Sequence, residues 1–203
     1  MSPKPRRRAL AALIRVAATT MSIGVAGVAA AQNPHPEIDN ARVAVFRAAG
    51  PLPASPHDFV TISSAGAVAF GHKGEAPGPV QAGAVVIELK DSGRAVLANT
   101  SGYPNAFPRA HARKLLENDR VIVWSYRWLP GKPTPMHFHD KDTVVVFQDD
   151  TTLTSTTPDG KSVTSRSPRG EISFNPRGRI HFETLVRGSG PGGSGGATIT
   201  ELK

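Results

Sequence analysis

Apolar residues along this chain come in short runs of alternating or continuous character, not in the three-to-four spacing of long helices. The segments 84–89, 120–129, 143–147 and 197–202 are rich in Val, Ile, Thr and aromatic residues and are separated by Gly, Pro and Asp. Runs of that length and composition predict β-strands. Pro158, Asp159 and Gly160 lie between two Thr/Ser-rich segments and predict a hairpin turn. The one helical candidate is 109–117, where Leu115 and Leu116 sit among polar neighbours. Many short strands with frequent turns predict an all-β sandwich or barrel.

Strand parity assigns faces. Trp124, Tyr126 and Trp128 alternate and so share one face. The expected place for these rings is the packing between a barrel and an earlier β unit; turned inward, they would line a pocket for a planar or sugar-like ligand. Arg127, on the opposite face, is then a candidate anion anchor or an exposed side chain.

Composition shifts suggest boundaries. Residues 32–40, with Pro34, His35 and Pro36, read as a mobile lead-in, and 99–109, with Gly102, Pro104 and Pro108, as a linker after a first β unit at about 41–98. Val86, Ile87, Glu88, Leu89 and Lys90 are echoed by Ile199, Thr200, Glu201, Leu202 and Lys203 at the chain end. An echo of five residues suits a duplicated β unit but equally two independent strands.

The first 31 residues have a different character. Lys4, Arg6, Arg7 and Arg8 precede an apolar stretch over 16–30, and alanines at 29–31 offer a cleavage site before Gln32. This pattern predicts a secretory signal peptide over 1–31 and an exported protein, periplasmic or secreted, that leaves the membrane once cleaved. The formal charge of +8 is largely a property of this leader: it holds five basic residues and no acidic one, so the remainder carries 19 basic against 16 acidic residues. No basic run interleaved with aromatics survives there, which argues against a nucleic-acid partner. Cysteine is absent, so disulfides and thiol chemistry are excluded.

Chemistry concentrates around three of the seven histidines. His137 and His139 alternate, so a strand projects both imidazoles to one side, where two can grip one ion. His181 follows a turn marked by Pro176 and Gly178. Glu183, two residues on, shares the face of His181 and is the candidate fourth ligand, orienting carboxylate or general base. Asp142 points to the opposite face unless a bulge turns it inward. His35, His57, His72 and His111 have no partner at ligand spacing and are expected on the surface. Gly192, Ser194 and Gly196 spell GxSxG, but no helix follows and no His or Asp lies downstream to complete a triad, so they read as a loop. Asn99, Thr100 and Ser101 form a glycosylation sequon, meaningful only in a secreting eukaryote.

Gly131, His137 and His139, followed by Gly170, Pro176, Gly178 and His181, resemble the two motifs of the cupin superfamily in residue type and spacing over the last ninety or so residues. Thr143 stands where the first motif has its glutamate and Asp150 where it has its final glycine, while Leu185 replaces the asparagine of the second motif. The resemblance implies a cupin-type β-barrel (double-stranded β-helix, or jelly roll) over 110–203, with an additional N-terminal β unit over 32–109 packed on it. It also implies a divalent metal held by His137, His139 and His181, and a tendency to form homodimers. Imidazole suits iron, zinc, nickel and copper, with manganese a further candidate, and three such ligands leave positions open for substrate. Without the usual glutamate the ion would keep its full charge, which favours an anionic small-molecule substrate. Some thiol-oxidising cupin dioxygenases are similar in their ligand type. The expected function is therefore a metal-dependent small-molecule enzyme of dioxygenase type, iron first, with Glu183 or Thr143 handling a proton or hydrogen bond. The alternatives are a non-catalytic cupin binding a small anion or carbohydrate and a structural cupin without ligand, since a fold does not fix a chemistry.

Overall fold

Three antiparallel sheets stack so that the middle one is covered on both faces. The computed structural model describes residues 35–90 and 95–203; the leader and its expected cleavage site before Gln32 lie outside the described residues. The chain from Ala31 onward forms one compact unit. Among the described residues no helix is long and apolar enough to cross a membrane.

The first sheet is built from β1 (Ile38–Asp39), β2 (Val43–Arg47), β3 (Asp58–Ile62), β4 (Val68–Gly71) and β5 (Val85–Leu89), in the order β1-β2-β5-β3-β4. The middle sheet takes β6 (Ala112–Glu117), β7 (Val121–Trp128), β9 (Asp142–Phe147), β12 (Ile172–Asn175) and β14 (Gly195–Leu202), in the order β12-β9-β14-β7-β6. The last sheet takes β8 (His137–Phe138), β10 (Thr151–Thr156), β11 (Ser162–Ser167) and β13 (Ile180–Gly188), in the order β11-β10-β13-β8. The middle and last sheets are the two halves of the barrel. The turn at Pro158–Gly160 closes the β10–β11 hairpin, where Gly160 takes the positive φ the turn requires.

Coverage on both faces explains why β9 and β14 are buried from end to end. Val144 and Val146 join Val121, Val123 and Leu202 against Val45, Val60 and Ile87 of the first sheet. Val145 and Phe147 turn the other way, with Ile199, Leu153 and Leu185, into the barrel.

Trp124, Tyr126 and Trp128 belong to that interior cluster and do not touch the first sheet, contrary to the expected packing. The contact with the first sheet is made by Val121 and Val123. Parity grouped the rings correctly, but Val121 and Val123 make the opposite face apolar as well at the start of β7, so parity alone did not say which face met the first sheet. Arg127 does face away, and its guanidinium is spent on Asp149 and Ser194, so it anchors nothing in the cavity.

The predicted helix over 109–117 is strand β6. It pairs with β7 and carries a bulge at Leu115, which lets Leu115 and its neighbour Leu116 both reach the first core cluster. Consecutive leucines on one side imitate helical spacing in sequence. The segment 99–109, expected as a linker, runs through the barrel: Ala106 and Phe107 are interior residues, and the backbone bonds Phe138 on both sides. The GxSxG residues fall in a 3-10 turn, Pro191–Gly193, and at the start of β14. Ser194 is fully buried with its hydroxyl donated to the Pro191 carbonyl, so it is no nucleophile. Gly195 is required by packing, because a Cβ there would come within 2.6 Å of Thr151.

Candidate metal centre

Backbone pairing brings the two motifs together. In the β8–β13 ladder His137 is directly opposite His181. Opposed residues on antiparallel strands hold their Cβ atoms about 5 Å apart, which sets two imidazoles side by side. The turn before β13 then bonds His139 through its backbone: Gly178 N–H donates to the His139 carbonyl (2.7 Å) and His139 N–H donates to the Arg179 carbonyl (2.9 Å). Gly178 has φ of +90°, which a residue with a side chain rarely adopts, and the turn that aims His181 depends on it.

The result is a group of three buried imidazoles whose ligand atoms lie within 4.8 Å of one another. Ring centroids are 5.0 Å apart for His137 and His139, 4.7 Å for His137 and His181, and 5.1 Å for His139 and His181. Two of the outward nitrogens have partners. His137 Nδ1 donates to the Pro135 carbonyl at 2.8 Å, which leaves the Nε2 lone pair to accept, here from Arg109 Nη1 at 3.1 Å. His181 Nδ1 pairs with Ser155 Oγ at 2.7 Å, turning its Nε2 toward that of His139. Such partners fix tautomer and ring orientation for metal binding.

Protonation favours the same use. Burial pushes His137 down to about 4, with help from the Arg109 charge, and His139 down to about 2, with help from the two neighbouring imidazoles. His181 is lowered as well, first by burial. Neutral imidazoles are the form a metal ion binds, so at ordinary pH no imidazolium has to be deprotonated first. Three neutral nitrogen donors fit a divalent transition metal.

The candidate carboxylates lie outside this group. Glu183 stands beside it, with Oε2 accepting from Trp128 Nε1 (2.8 Å) and from Arg109 Nη2 (3.4 Å). Burial raises its carboxyl, but Arg109 and then the imidazoles and Trp128 outweigh that and hold it below the usual range. Asp142 faces the first sheet, bound to Arg42 and to the Arg177 N–H. Thr143 is buried in the barrel, and its hydroxyl has no partner among the described residues. Leu185, at the asparagine position of the second motif, packs in the interior core. His35 and His111 are exposed; His72 is also exposed and packs edge-on to Phe70, while His57 is half-buried, all four away from the site.

Two functional candidates escaped sequence reasoning. Arg109 sits 4.0 Å above the Tyr126 ring and 4.7 Å from that of Phe107, with Nη1 3.1 Å from His137 Nε2. Nothing in the sequence near Pro108 marks it, because the contact is made across the barrel. Glu201 is only 2% exposed and accepts a 2.7 Å bond from Trp124 Nε1. Its signal was present: a carboxyl in line with Ala197 and Ile199, on the face of the strand that is otherwise apolar, is rare without a reason.

No protein-family model and no curated protein matches the sequence. Among solved structures, a cupin domain from Bordetella pertussis Tohama I is 31% identical, covering 50% of this chain and 96% of that one, with a TM-score of 0.40. A cupin-2 domain protein from Shewanella frigidimarina is 18% identical over 47% of this chain and 83% of that one (TM-score 0.35). A polyketide cyclase from Streptomyces resistomycificus is 24% identical over 55% and 79% (TM-score 0.36). An all-β barrel with a three-imidazole group at the meeting of two motifs, and the identity to the Bordetella domain over nearly all of its length, place this chain in the cupin superfamily.

Proposed function

We propose that this cupin is an exported enzyme of dioxygenase type, dependent on a divalent metal, iron first, and acting on a small anionic molecule. The observation that carries the reading is the convergence of three neutral imidazoles with no carboxylate among them. When bound, the ion supplies Lewis acidity and redox chemistry at the coordination positions the protein leaves open.

The chain's own residues do the rest. Arg109 lies against His137 with its guanidinium held by Glu183 and the Tyr126 face, so a fixed positive charge borders the imidazoles. That charge favours an anionic substrate and works in an interior from which Trp124, Tyr126, Trp128 and Phe147 exclude water. In this reading Glu183, whose carboxyl Arg109 holds below its usual range, serves as the proton acceptor near His181. The Thr143 hydroxyl offers a hydrogen bond from the opposite sheet. Export rests on the composition of residues 1–31, and N-terminal sequencing of the fractionated protein tests it.

The test is elemental mass spectrometry of untagged protein, followed by oxygen-electrode assays of the iron-loaded form with a panel of small carboxylates and thiols. Stoichiometric metal and oxygen uptake that is lost in His181→Ala support the reading. No site tighter than the micromolar range for iron, zinc, nickel or copper would overturn it.

A further inference from the structure

The first sheet has a second face, turned away from the barrel. Val85, Ile87 and Leu89 of β5 enter the core shared with the middle sheet, so by strand parity Val86 and Glu88 point the other way. There they meet a cavity of about 390 Å³, lined also by Pro36, Phe46, Leu52, Pro53, Pro56 and Pro77. That volume is in the range of small-molecule sites. Each proline fixes φ in the wall that carries it. Two backbone bonds tie the wall segments to each other: Ser55 N–H donates to the Glu75 carbonyl (2.9 Å) and Gly74 N–H to the Ser55 carbonyl (2.8 Å). The cavity is therefore held open by the fold, and a ligand entering it has little chain to order.

Among the described residues lining this cavity, Glu88 alone is charged. β5 is the central strand of its sheet, and Glu88 stands opposite Ala44 of β2 and Phe59 of β3, both buried and apolar. A carboxylate in such surroundings ordinarily has a cation beside it. Glu88 is half-buried and none of the described residues forms an ion pair with it; its bonding partner is Ser55, 4% exposed, whose Oγ lies 2.8 Å from Oε1. That hydroxyl has one proton, and the His57 carbonyl stands 2.7 Å from the same oxygen, so the two acceptors share one donor. The carboxylate is thus fixed in place but short of donors, inside rigid apolar walls. Phe46 brings an aromatic ring to the same cavity, a group whose face also attracts cations.

We infer that this cavity binds a small organic cation, an ammonium group carried on an apolar body, with Glu88 as its counter-charge. The site lies across the first sheet from the barrel and does not depend on the function proposed for the imidazole centre.

The experiment is isothermal titration of the full protein with benzylamine at neutral pH, where the amine is protonated, and with benzyl alcohol as the uncharged control of the same shape. Wild type should bind benzylamine saturably at one site, and benzyl alcohol at least about tenfold more weakly, as expected when a hydrogen bond to a charged group is lost. Glu88→Gln keeps an acceptor for Ser55 and removes the charge, so it should weaken benzylamine at least about tenfold and leave benzyl alcohol within about threefold of wild type. A second measurement needs no variant: in ¹⁵N-labelled wild type, benzylamine should shift the amide resonances of Phe46, Val86 and Glu88 and leave those of His137 and His181 in place. Absence of saturable benzylamine binding in wild type, equal affinity for the alcohol and the amine, or wild-type benzylamine affinity in Glu88→Gln would each overturn the site. Resonance shifts confined to the barrel would overturn it as well.

Discussion

His139 and His181 meet nitrogen to nitrogen, their Nε2 atoms 3.0 Å apart, although 42 residues separate them in sequence. In that geometry one imidazole must donate to the other unless an ion takes both lone pairs. Replacing any of His137, His139 or His181 by Ala should therefore lower affinity for zinc or iron by more than about a hundredfold, while His72→Ala and His111→Ala leave it unchanged. Ser155→Ala removes only the bond that orients His181 and should cost about tenfold, the effect of a partner one step from the metal. Isothermal titration of the metal-free variants measures all six.

Acid should destabilise the metal-free protein early. His137 and His139 are neutral in the fold and protonated in the unfolded chain from about pH 6.5 down to about 4 and about 2 respectively. Across that window the unfolded state binds more protons, so the stability they contribute is present above pH 6.5 and lost as the pH falls. Each group costs about 1.4 kcal/mol per pH unit while it is neutral only in the fold. Urea unfolding between pH 7 and pH 4 should show this slope, and His139→Gln should flatten it.

Glu201 acts with the opposite sign. Its carboxyl is raised by burial, so the folded state holds the proton longer than the unfolded chain does. Stability is then retained in acid and lost as the pH rises through the folded value. Glu201→Gln, which still accepts from Trp124, should match wild type in acid and exceed it at pH 8. Thermal melts at both pH values check the crossover.

A chain beginning at residue 110 should be insoluble. It would uncover Val121, Val123, Val144, Val146 and Leu202, which the first sheet buries, and remove Ala106 and Phe107 from the barrel interior. Each fully buried apolar side chain contributes about 1.5–3 kcal/mol, so the loss exceeds what a domain of this size holds in reserve. Sedimentation of the expressed fragment decides the matter, and a soluble, cooperatively folding fragment would show that the barrel is autonomous.

The sequence by itself determined most of the strands, the hairpin at Gly160 and the pairing of His137 with His139 on one face, because each depends on chemistry local in the chain, while the barrel and the place of His181 followed from the resemblance to cupins. A strand is announced by its alternation, a turn by a residue that tolerates positive φ, and a ligand pair by parity on one strand. What only the tertiary structure decided was the direction of faces and the partners reached across the barrel. Parity put Trp124, Tyr126 and Trp128 together, but β7 begins with apolar residues on both faces, and it took the stacking of three sheets to send the rings inward and Val121 and Val123 toward the first sheet. The bulge at Leu115 depends on register with β7, which no local pattern encodes. Arg109 and Glu201 gain their meaning from Tyr126, His137, Trp124 and Thr143, residues distant in sequence that lie beside them only once the strands have paired. Local conformational preference is written residue by residue, whereas burial and electrostatic environment belong to neighbours that the chain acquires only by folding.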